Sequence, residues 1–588
     1  MRFKMTEKLT RLELTWPGKE DRFNPEPRIL LEDKEKSFSY EKDTDGMAKD
    51  IFDHFDVKAK VEPTYDNMLI HGDNLLALKA LEQDYTGKVK CIYIDPPYNT
   101  GNAFDHYEDG LEHSIWLSLM RDRLEILKRL LAEDGFFCCE IDDSEGQYLK
   151  VLLDEIFGRN NYLTTIYVQV RYADKTLKQD MDFHKQIEQI HIYRKNYGAK
   201  PNLNIVEKSF EKYNFYIREL GNGEEITLGG KRVVKFKPSD YEIYQSEGSE
   251  EGRKEIWASG TILDGNSSGR FFRDYLTGRY KDDGYGILYK VYGIGDDKFD
   301  YRYFTGPKKE GATKGKYYQG VPLEQLNNPD FQQTSPIENF IDLAGAFGNC
   351  RLEGGVDFRG GKKPEILLQK ILTHFSNPGD LVLDSFLGSG TTAAVAHKMG
   401  RRWIGIEMGD QAYTHCLPRL QSVITGNDAG GVTKSTGWLC GGGFKFYELA
   451  SSLIVKDKYG QQIISDKYNA DMLAEAMCKI LGYHYKPDAE KYWKQGFSSE
   501  KSFIFTTTMS VQEESLDKLA AEVGDNNLLI CCSAFVGNKN AYPNITVKKI
   551  PSAILKKCEW DREGYPLNLS KYTPKDEDFE FEDEESEE

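Results

Sequence analysis

The run Val89-Lys90-Cys91-Ile92-Tyr93-Ile94 is short, apolar and rich in branched and aromatic side chains, the pattern of a strand buried in a parallel sheet. It stops at Asp95-Pro96-Pro97-Tyr98, and Asn99-Thr100-Gly101 follows as a turn. An acid at the carboxyl end of such a strand sits where open α/β sheets bind ligands. The two prolines fix φ and carry no N–H, which lets the Asp95 and Pro96 carbonyls point outward as unpaired acceptors. Tyr98 sets an aromatic face beside them. The set suits a planar ligand bearing an amino group. A plain acidic turn that ends a strand is the alternative, and the tetrapeptide alone does not separate the two.

The surrounding rhythm places this run in an α/β sheet. Met68-Leu69-Ile70 reads as a strand, His71-Gly72-Asp73-Asn74 as a turn with Asn74 the N-cap, and Leu75 to Leu81 as a helix. Ser114 to Leu131 carries Trp116, Leu119, Met120, Leu124, Leu127 and Leu131 at helical spacing, and Gly135 stops it. Phe136 to Ile141 is a second buried strand, Ser144 to Ile156 a helix, and Tyr162 to Val170 and Ile187 to Tyr193 are further strands. Strands and helices alternating at this rhythm predict a parallel sheet covered on both faces. From about Ala199 to Asn339 the pattern gives way to Gly, Tyr, Lys and Glu with short alternating pieces, which predicts an inserted, mostly β domain. Its Arg270-Phe271-Phe272-Arg273 segment mixes base and ring, as a DNA-facing surface does through phosphate contacts and stacking, and as an ordinary solvated β surface does too.

The α/β pattern returns with a helix from Pro364 to Phe375 and a strand at Leu381 to Asp384. Asp384-Ser385-Phe386-Leu387-Gly388-Ser389-Gly390 then leads into a helix from Thr391 to Met399. Small residues between a strand and a helix, with Gly388 and Gly390 permitting a sharp turn and close backbone approach, form a ligand cradle. It is not a P-loop, because the Gly-Lys-Ser/Thr ending is missing. Arg402 to Glu407 is the next strand, and an acid at its end can accept from two ribose hydroxyls. A dinucleotide and an adenosyl group both fit that description. Gln411 to Val423 continues as helix. The glycines at 430–431 and 441–443 read as linkers before a C-terminal α+β region, whose role is open between partner docking and structural support.

Asp95-Pro96-Pro97-Tyr98 resembles the catalytic loop of amino-group DNA methyltransferases in the Asp form usual for adenine-N6 enzymes. The loop from Asp384 to Thr392 is similar to the S-adenosylmethionine loop of that family. Catalytic loop first and cofactor loop last is the permuted order of the beta group, which includes the modification subunits of type III restriction systems. The resemblance implies an S-adenosylmethionine-dependent, Rossmann-like core in permuted motif order, an inserted target-recognition domain and a small α+β C-terminal region. It divides the chain into an arm (1–60), a catalytic half (61–198), the target-recognition domain (199–340), a cofactor half (341–428), the C-terminal region (429–570) and an acidic tail (571–588). It implies that Asp95, Pro96, Pro97 and Tyr98 are catalytic, with Tyr98 stacking on a flipped base. Whether Asp95 takes the amine proton or only orients the amine stays open. Asp73, Asp384, Phe386, Gly388, Gly390, Thr391 and Glu407 would line the cofactor. Lys363-Pro364 would open the helix over its methionine end, although Phe358-Arg359-Gly360-Gly361-Lys362 stands where the family has His-Pro-Thr-Gln. DNA contacts are expected from Asn99, Phe104, Lys175, Lys178, Arg270 and Arg273. The resemblance further implies double-stranded DNA as substrate and a homodimer. Without a Walker motif in the chain, ATP-driven cleavage would belong to a separate subunit.

Composition tempers this reading. A formal charge of −18 argues against a protein that coats nucleic acid, though part of the excess lies in the acidic stretch from Asp576 to Glu588. The 10 cysteines have no metal-like spacing, and Cys138-Cys139 and Cys531-Cys532 lie in apolar runs, as buried thiols do. No signal peptide and no membrane-length apolar run is apparent, which predicts a cytoplasmic protein, and the cysteine spacing predicts no bound metal. The competing readings are a methyltransferase that stands alone or serves another defence system, a DNA-binding module that has lost activity and, for the glycine loop alone, a nicotinamide-dependent dehydrogenase.

Overall fold

The computed structural model describes residues 12–40, 67–99, 113–173, 183–206, 209–258, 267–312, 314–328, 332–358, 360–538 and 540–562. They form two compact units, 203–337 and the rest.

The larger unit is built on a sheet of ten strands. These are β1 (Leu30–Tyr40), β2 (Asn67–His71), β3 (Val89–Ile94), β4 (Leu131–Ile141), β5 (Tyr162–Gln169), β6 (Ile187–Arg194), β7 (Phe340–Asp342), β8 (Leu381–Asp384), β9 (Arg402–Glu407) and β10 (Gly442–Leu449). Their spatial order is β1-β10-β2-β9-β8-β3-β4-β6-β5-β7. From β10 to β4 all neighbours run parallel. At one end β6 runs antiparallel to both β4 and β5, and at the other β1 runs antiparallel to β10. The expected parallel sheet is therefore mixed, its reversed strands lying toward the edges.

Helices cover both faces. Alternation along β3 sends Ile92 and Ile94 into a core with Trp116, Leu124 and Leu127 of α2 (His113–Leu130), and with Leu75 and Leu78 of α1 (Asn74–Tyr85). Cys91 and Tyr93 go to the other face, against Leu368 and Leu372 of α4 (Glu365–Phe375) and Ala393 to Ala396 of α5 (Thr391–Lys398). The short α3 (Gly146–Leu153) packs on the first face, and α6 (Leu417–Thr425) on the second. Each fully buried Leu or Ile contributes roughly 1.5–3 kcal/mol.

Three local readings change. Asp73, not Asn74, caps α1: its Oδ1 accepts from the Leu76 N–H at 3.0 Å, and Asn74 begins the helix with its side chain turned inward. Leu131 opens β4 rather than closing α2. Gly442 and Gly443 lie in β10 rather than in a linker, so the sheet continues past residue 428. A Cβ at Gly443 would stand 2.8 Å from the Phe38 carbonyl oxygen on β1, so this glycine serves close strand approach.

Beyond β10, a five-stranded sheet orders His484–Tyr485, Gly496–Ser499, Ser502–Gln512, Asn527–Val536 and Ile545–Lys549, the last three parallel. The unit 203–337 has its own six-stranded antiparallel sheet around Val233, Val291, Phe304 and Tyr317. Phe271 and Phe272 are buried in that core on a short helical piece, not on a β surface. All ten cysteines are free thiols. Among the described residues no helix is long and apolar enough to cross a membrane.

Candidate active site

The two chemistry-bearing loops, far apart in the chain, leave adjacent parallel strands. Cys91 and Ile92 of β3 pair with Val382 and Leu383 of β8, so Asp95 and Asp384 emerge side by side at the carboxyl edge of the sheet. Tyr98 and Phe386 pack on the same apolar cluster.

The loop after β3 is pinned at three points. The Trp116 indole donates to the Pro97 carbonyl at 2.9 Å. Asn99 takes a left-handed φ of 60° and donates from Nδ2 to Glu145 Oε1 at 2.6 Å. The Tyr98 hydroxyl donates to Glu188 Oε2 at 2.8 Å and accepts from the Lys363 ammonium at 2.6 Å. That ammonium also donates to Glu188 at 2.9 Å, and lies 3.3 Å from Asp95 Oδ1 and 3.7 Å from Glu140 Oε1. Burial pushes the Asp95 carboxyl up, Lys363 opposes this and Glu188 adds to it, leaving Asp95 at about 6. Burial pulls the Lys363 ammonium down, but Asp95, Glu140 and Glu188 outweigh it and hold the group well above its ordinary value. Lys363, expected at a methionine end, thus faces the loop after β3, while Pro364 caps α4.

The second loop is held by its own acids. Asp384 is buried, accepting from the Phe386 N–H at 2.9 Å and from the Thr392 hydroxyl at 2.6 Å; burial raises it to about 7 against these bonds. Gly388 and Gly390 take positive φ of 57° and 82°, conformations that L side chains resist. Glu407 accepts from the N–H groups of Gly388 and Gly409 at 2.8 and 2.9 Å, which ties the end of β9 to the turn. Asn74 donates to the Ser385 carbonyl at 2.9 Å and accepts from Arg123 at 2.6 Å, joining the loop after β2 to the same place.

The donor set fits an adenosyl group with a charged amino-acid end. Ser385 Oγ and Asp73 Oδ2 are buried with no hydrogen-bond partner, Asp73 Oδ2 lying 3.7 Å from the Arg123 guanidinium. The protein alone thus leaves polar atoms of this cradle unsatisfied, and a polar ligand would satisfy them.

Sequence reasoning missed the supports. Glu140 is fully buried in the otherwise apolar run Phe136 to Ile141 of β4, and Glu188 follows the same alternation on β6; that lone charge was the available signal. Beneath the glycine loop, the buried Arg419 donates to Thr391 Oγ1 at 2.7 Å and to Glu365 Oε1 at 2.8 Å, and Lys398 bridges Glu365 and Asp428, each at 2.7 Å. Of the expected DNA contacts, Phe104, Lys175 and Lys178 lie outside the described residues. Arg270 is exposed and Arg273 pairs with Asp274, both on the smaller unit.

A family model described as DNA methylase (N6_N4_Mtase) matches residues 89–416. The chain is 34% identical over 478 residues to the probable type III restriction-modification enzyme HindVI Mod subunit of Haemophilus influenzae, covering 73% of this chain and 59% of that protein. It is 28% identical over 378 residues to the type III restriction-modification enzyme EcoPI Mod subunit of Escherichia phage P1, covering 56% and 55%. The chain thus spans little more than half the length of these relatives. Among solved structures, the PvuII DNA methyltransferase (cytosine-N4-specific) aligns with 61% of this chain and 88% of its own, at 13% identity and a TM-score of 0.31. Because the family model spans more than half of the sequence, including both strand-end loops, this chain belongs to the DNA methylase family.

Proposed function

We propose that this protein transfers a methyl group from S-adenosylmethionine to N6 of an adenine flipped out of double-stranded DNA, as the modification component of a type III-like restriction system. One observation carries the reading: an amine-accepting loop and a glycine cradle with unsatisfied polar atoms leave neighbouring strands β3 and β8 side by side. When bound, S-adenosylmethionine supplies an electrophilic sulfonium methyl. Glu407, Gly388 and Gly390 would hold its adenosyl part, and Asp384 and the adjoining Ser385 its amino-acid end. The exocyclic amine of adenine is a weak nucleophile because its lone pair is delocalised into the ring. Asp95 and the Pro96 carbonyl accept its two N–H bonds and favour a tetrahedral nitrogen, the geometry of the transition state. With Asp95 at about 6, the carboxylate is mostly ionised at neutral pH and able to accept. Tyr98 offers a ring for the flipped base to stack on. Placement of amine and methyl accounts for most of the acceleration. Similarity to the HindVI and EcoPI Mod subunits supports the restriction-system assignment, with cleavage left to a partner subunit and a homodimer as the working assembly.

The test is long-read sequencing of DNA from cells expressing wild type or Asp95→Ala, scored for N6-methyladenine. The expected result is one asymmetric motif modified by the wild type alone. Modified cytosine instead would move the assignment to N4, and a purified wild type that binds no S-adenosylmethionine would end it.

A further inference from the structure

The three carboxylates around Lys363 come from different strands by one rule. Asp95 continues the alternation of Cys91 and Tyr93, Glu140 that of Phe136 and Cys138, and Glu188 that of Ile190 and Ile192, all on the α4 face. Adjacent strands β3, β4 and β6 thus set three acids together at the edge of the sheet, and the residue before Pro364 delivers one ammonium into them. We propose that Glu188 and Lys363 are positioning residues for methyl transfer: Glu188 fixes the Tyr98 hydroxyl and the Lys363 ammonium together, and Lys363 carries that constraint to Asp95. The proposal rests on the methyltransferase reading and deepens it.

The geometry argues for more than packing. The Tyr98 hydroxyl has both a donor role, to Glu188, and an acceptor role, from Lys363, so its ring plane is held from both sides. Lys363 also stands 4.8 Å from the centroid of that ring. Three acids around one ammonium are more negative charge than neutralisation needs, and buried ionic clusters are weak stabilisers. The excess bears most on Glu140, whose carboxyl burial pushes well above its ordinary range, with Glu188 and Asp95 adding to the rise against Lys363, and which accepts from the Tyr93 hydroxyl. Glu188, by contrast, is held ionised: burial raises it, but Lys363, Glu140 and Tyr98 outweigh that. The groups that act on Asp95 are therefore Lys363, Glu188, Tyr98, Glu140, Tyr93 and, from the cofactor loop, Asp384.

Opposite charges at Lys363 and Glu188 predict opposite effects on Asp95. Wild type, Glu188→Gln, Lys363→Met and Lys363→Arg are compared on a duplex carrying the motif that wild-type DNA reveals, with kcat measured across pH. Both neutral variants should lose about tenfold to a hundredfold in kcat through misplacement. Glu188→Gln removes an anion and should shift the acid limb to lower pH; Lys363→Met removes a cation and should shift it to higher pH, each by about one unit. Lys363→Arg, which keeps the charge, should leave the limb at the wild-type pH. Limbs that stay put, or move in the same direction, would overturn the proposal and leave a structural ion cluster. Carbon-13 NMR of carboxyl-labelled aspartate, with the Asp95 signal assigned by its loss in Asp95→Asn, reads the same opposite shifts without turnover. An inactive wild type that still shows them would fail the methyltransferase reading alone.

Discussion

Trp116 shows what a single residue contributes beyond its place in a helical stripe. Its ring is buried in the core between α2 and the sheet, and its indole N–H reaches the Pro97 carbonyl. Trp116→Phe keeps an apolar ring and leaves that carbonyl without its donor, a loss of about 1–3 kcal/mol. Urea melts should show the destabilisation, and kcat should fall while S-adenosylmethionine affinity, read by calorimetry, stays within about twofold. A kcat equal to wild type would mean that the indole does not hold the loop. His191 makes a pH-dependent contribution. It is buried between the Thr165 hydroxyl at 3.0 Å and the Gly146 carbonyl at 3.1 Å, and burial lowers it to about 4. The unfolded chain binds a proton here from about pH 6.5 downward, whereas the folded protein resists it until about 4. The unfolded state therefore holds more protons between those values, and stability falls as pH drops through that window, by about 3 kcal/mol in all. His191→Gln, whose amide can still donate to Gly146, should flatten the slope of stability against pH by about one proton over that range. Thermal melts at pH 4.5 and 7.5 check this, and an unchanged slope would rule it out.

At the scale of elements, what could be read in advance followed burial. Val89–Ile94, Leu381–Asp384 and Arg402–Glu407 are nearly all buried, and apolar runs ending in an acid announce themselves. β1 did not, because Leu30–Tyr40 is half-exposed with charges on both faces and is fixed by pairing with β10 rather than by pattern. The catalytic tetrapeptide and the glycine loop were legible as motifs, whereas Glu140, Glu188, Arg419 and Lys398 were not, since only the tertiary fold brings their partners within reach. That ion network gives the glycine loop its footing. Arg419 grips Thr391 from below, and Glu365 joins it to Lys398 and to the Val432 N–H. Breaking a buried network by removing one member typically costs 3–5 kcal/mol, because the remaining charge is stranded. Arg419→Leu should lose about that much in chemical denaturation, with weaker S-adenosylmethionine binding at temperatures where it stays folded. Glu365→Gln with Arg419→Leu should lose less than the two single losses added, as members of one network do. Strict additivity would mean that the two side chains act independently.

At the scale of the whole molecule, the chain enters the unit 203–337 through Asn204–Val206 and leaves it through Gln333–Ser335, two strands that pair antiparallel. Both connections thus lie side by side in a two-stranded stem, and the unit encloses its own core around Val233, Phe304 and Tyr317. A domain attached in this manner can be removed without stretching the chain that remains. The sheet order explains why the rest should survive: every strand from β1 to β10 belongs to the larger unit, including the β3–β8 pair that juxtaposes the two loops. Replacing residues 207–332 with a short Gly-Ser turn should therefore yield a folded protein that binds S-adenosylmethionine within about threefold of wild type. Sequencing of host DNA should then find no modified motif, because methyl-donor binding and site choice would reside in different units. The excised unit, expressed alone as residues 203–337, should unfold cooperatively from its own core. A shortened protein that still marks the wild-type motif would place sequence recognition on the larger unit instead, where the loop after β3 carries Asn99. The two outcomes assign specificity to different surfaces, so the deletion should precede any substitution at Arg270 or Arg273.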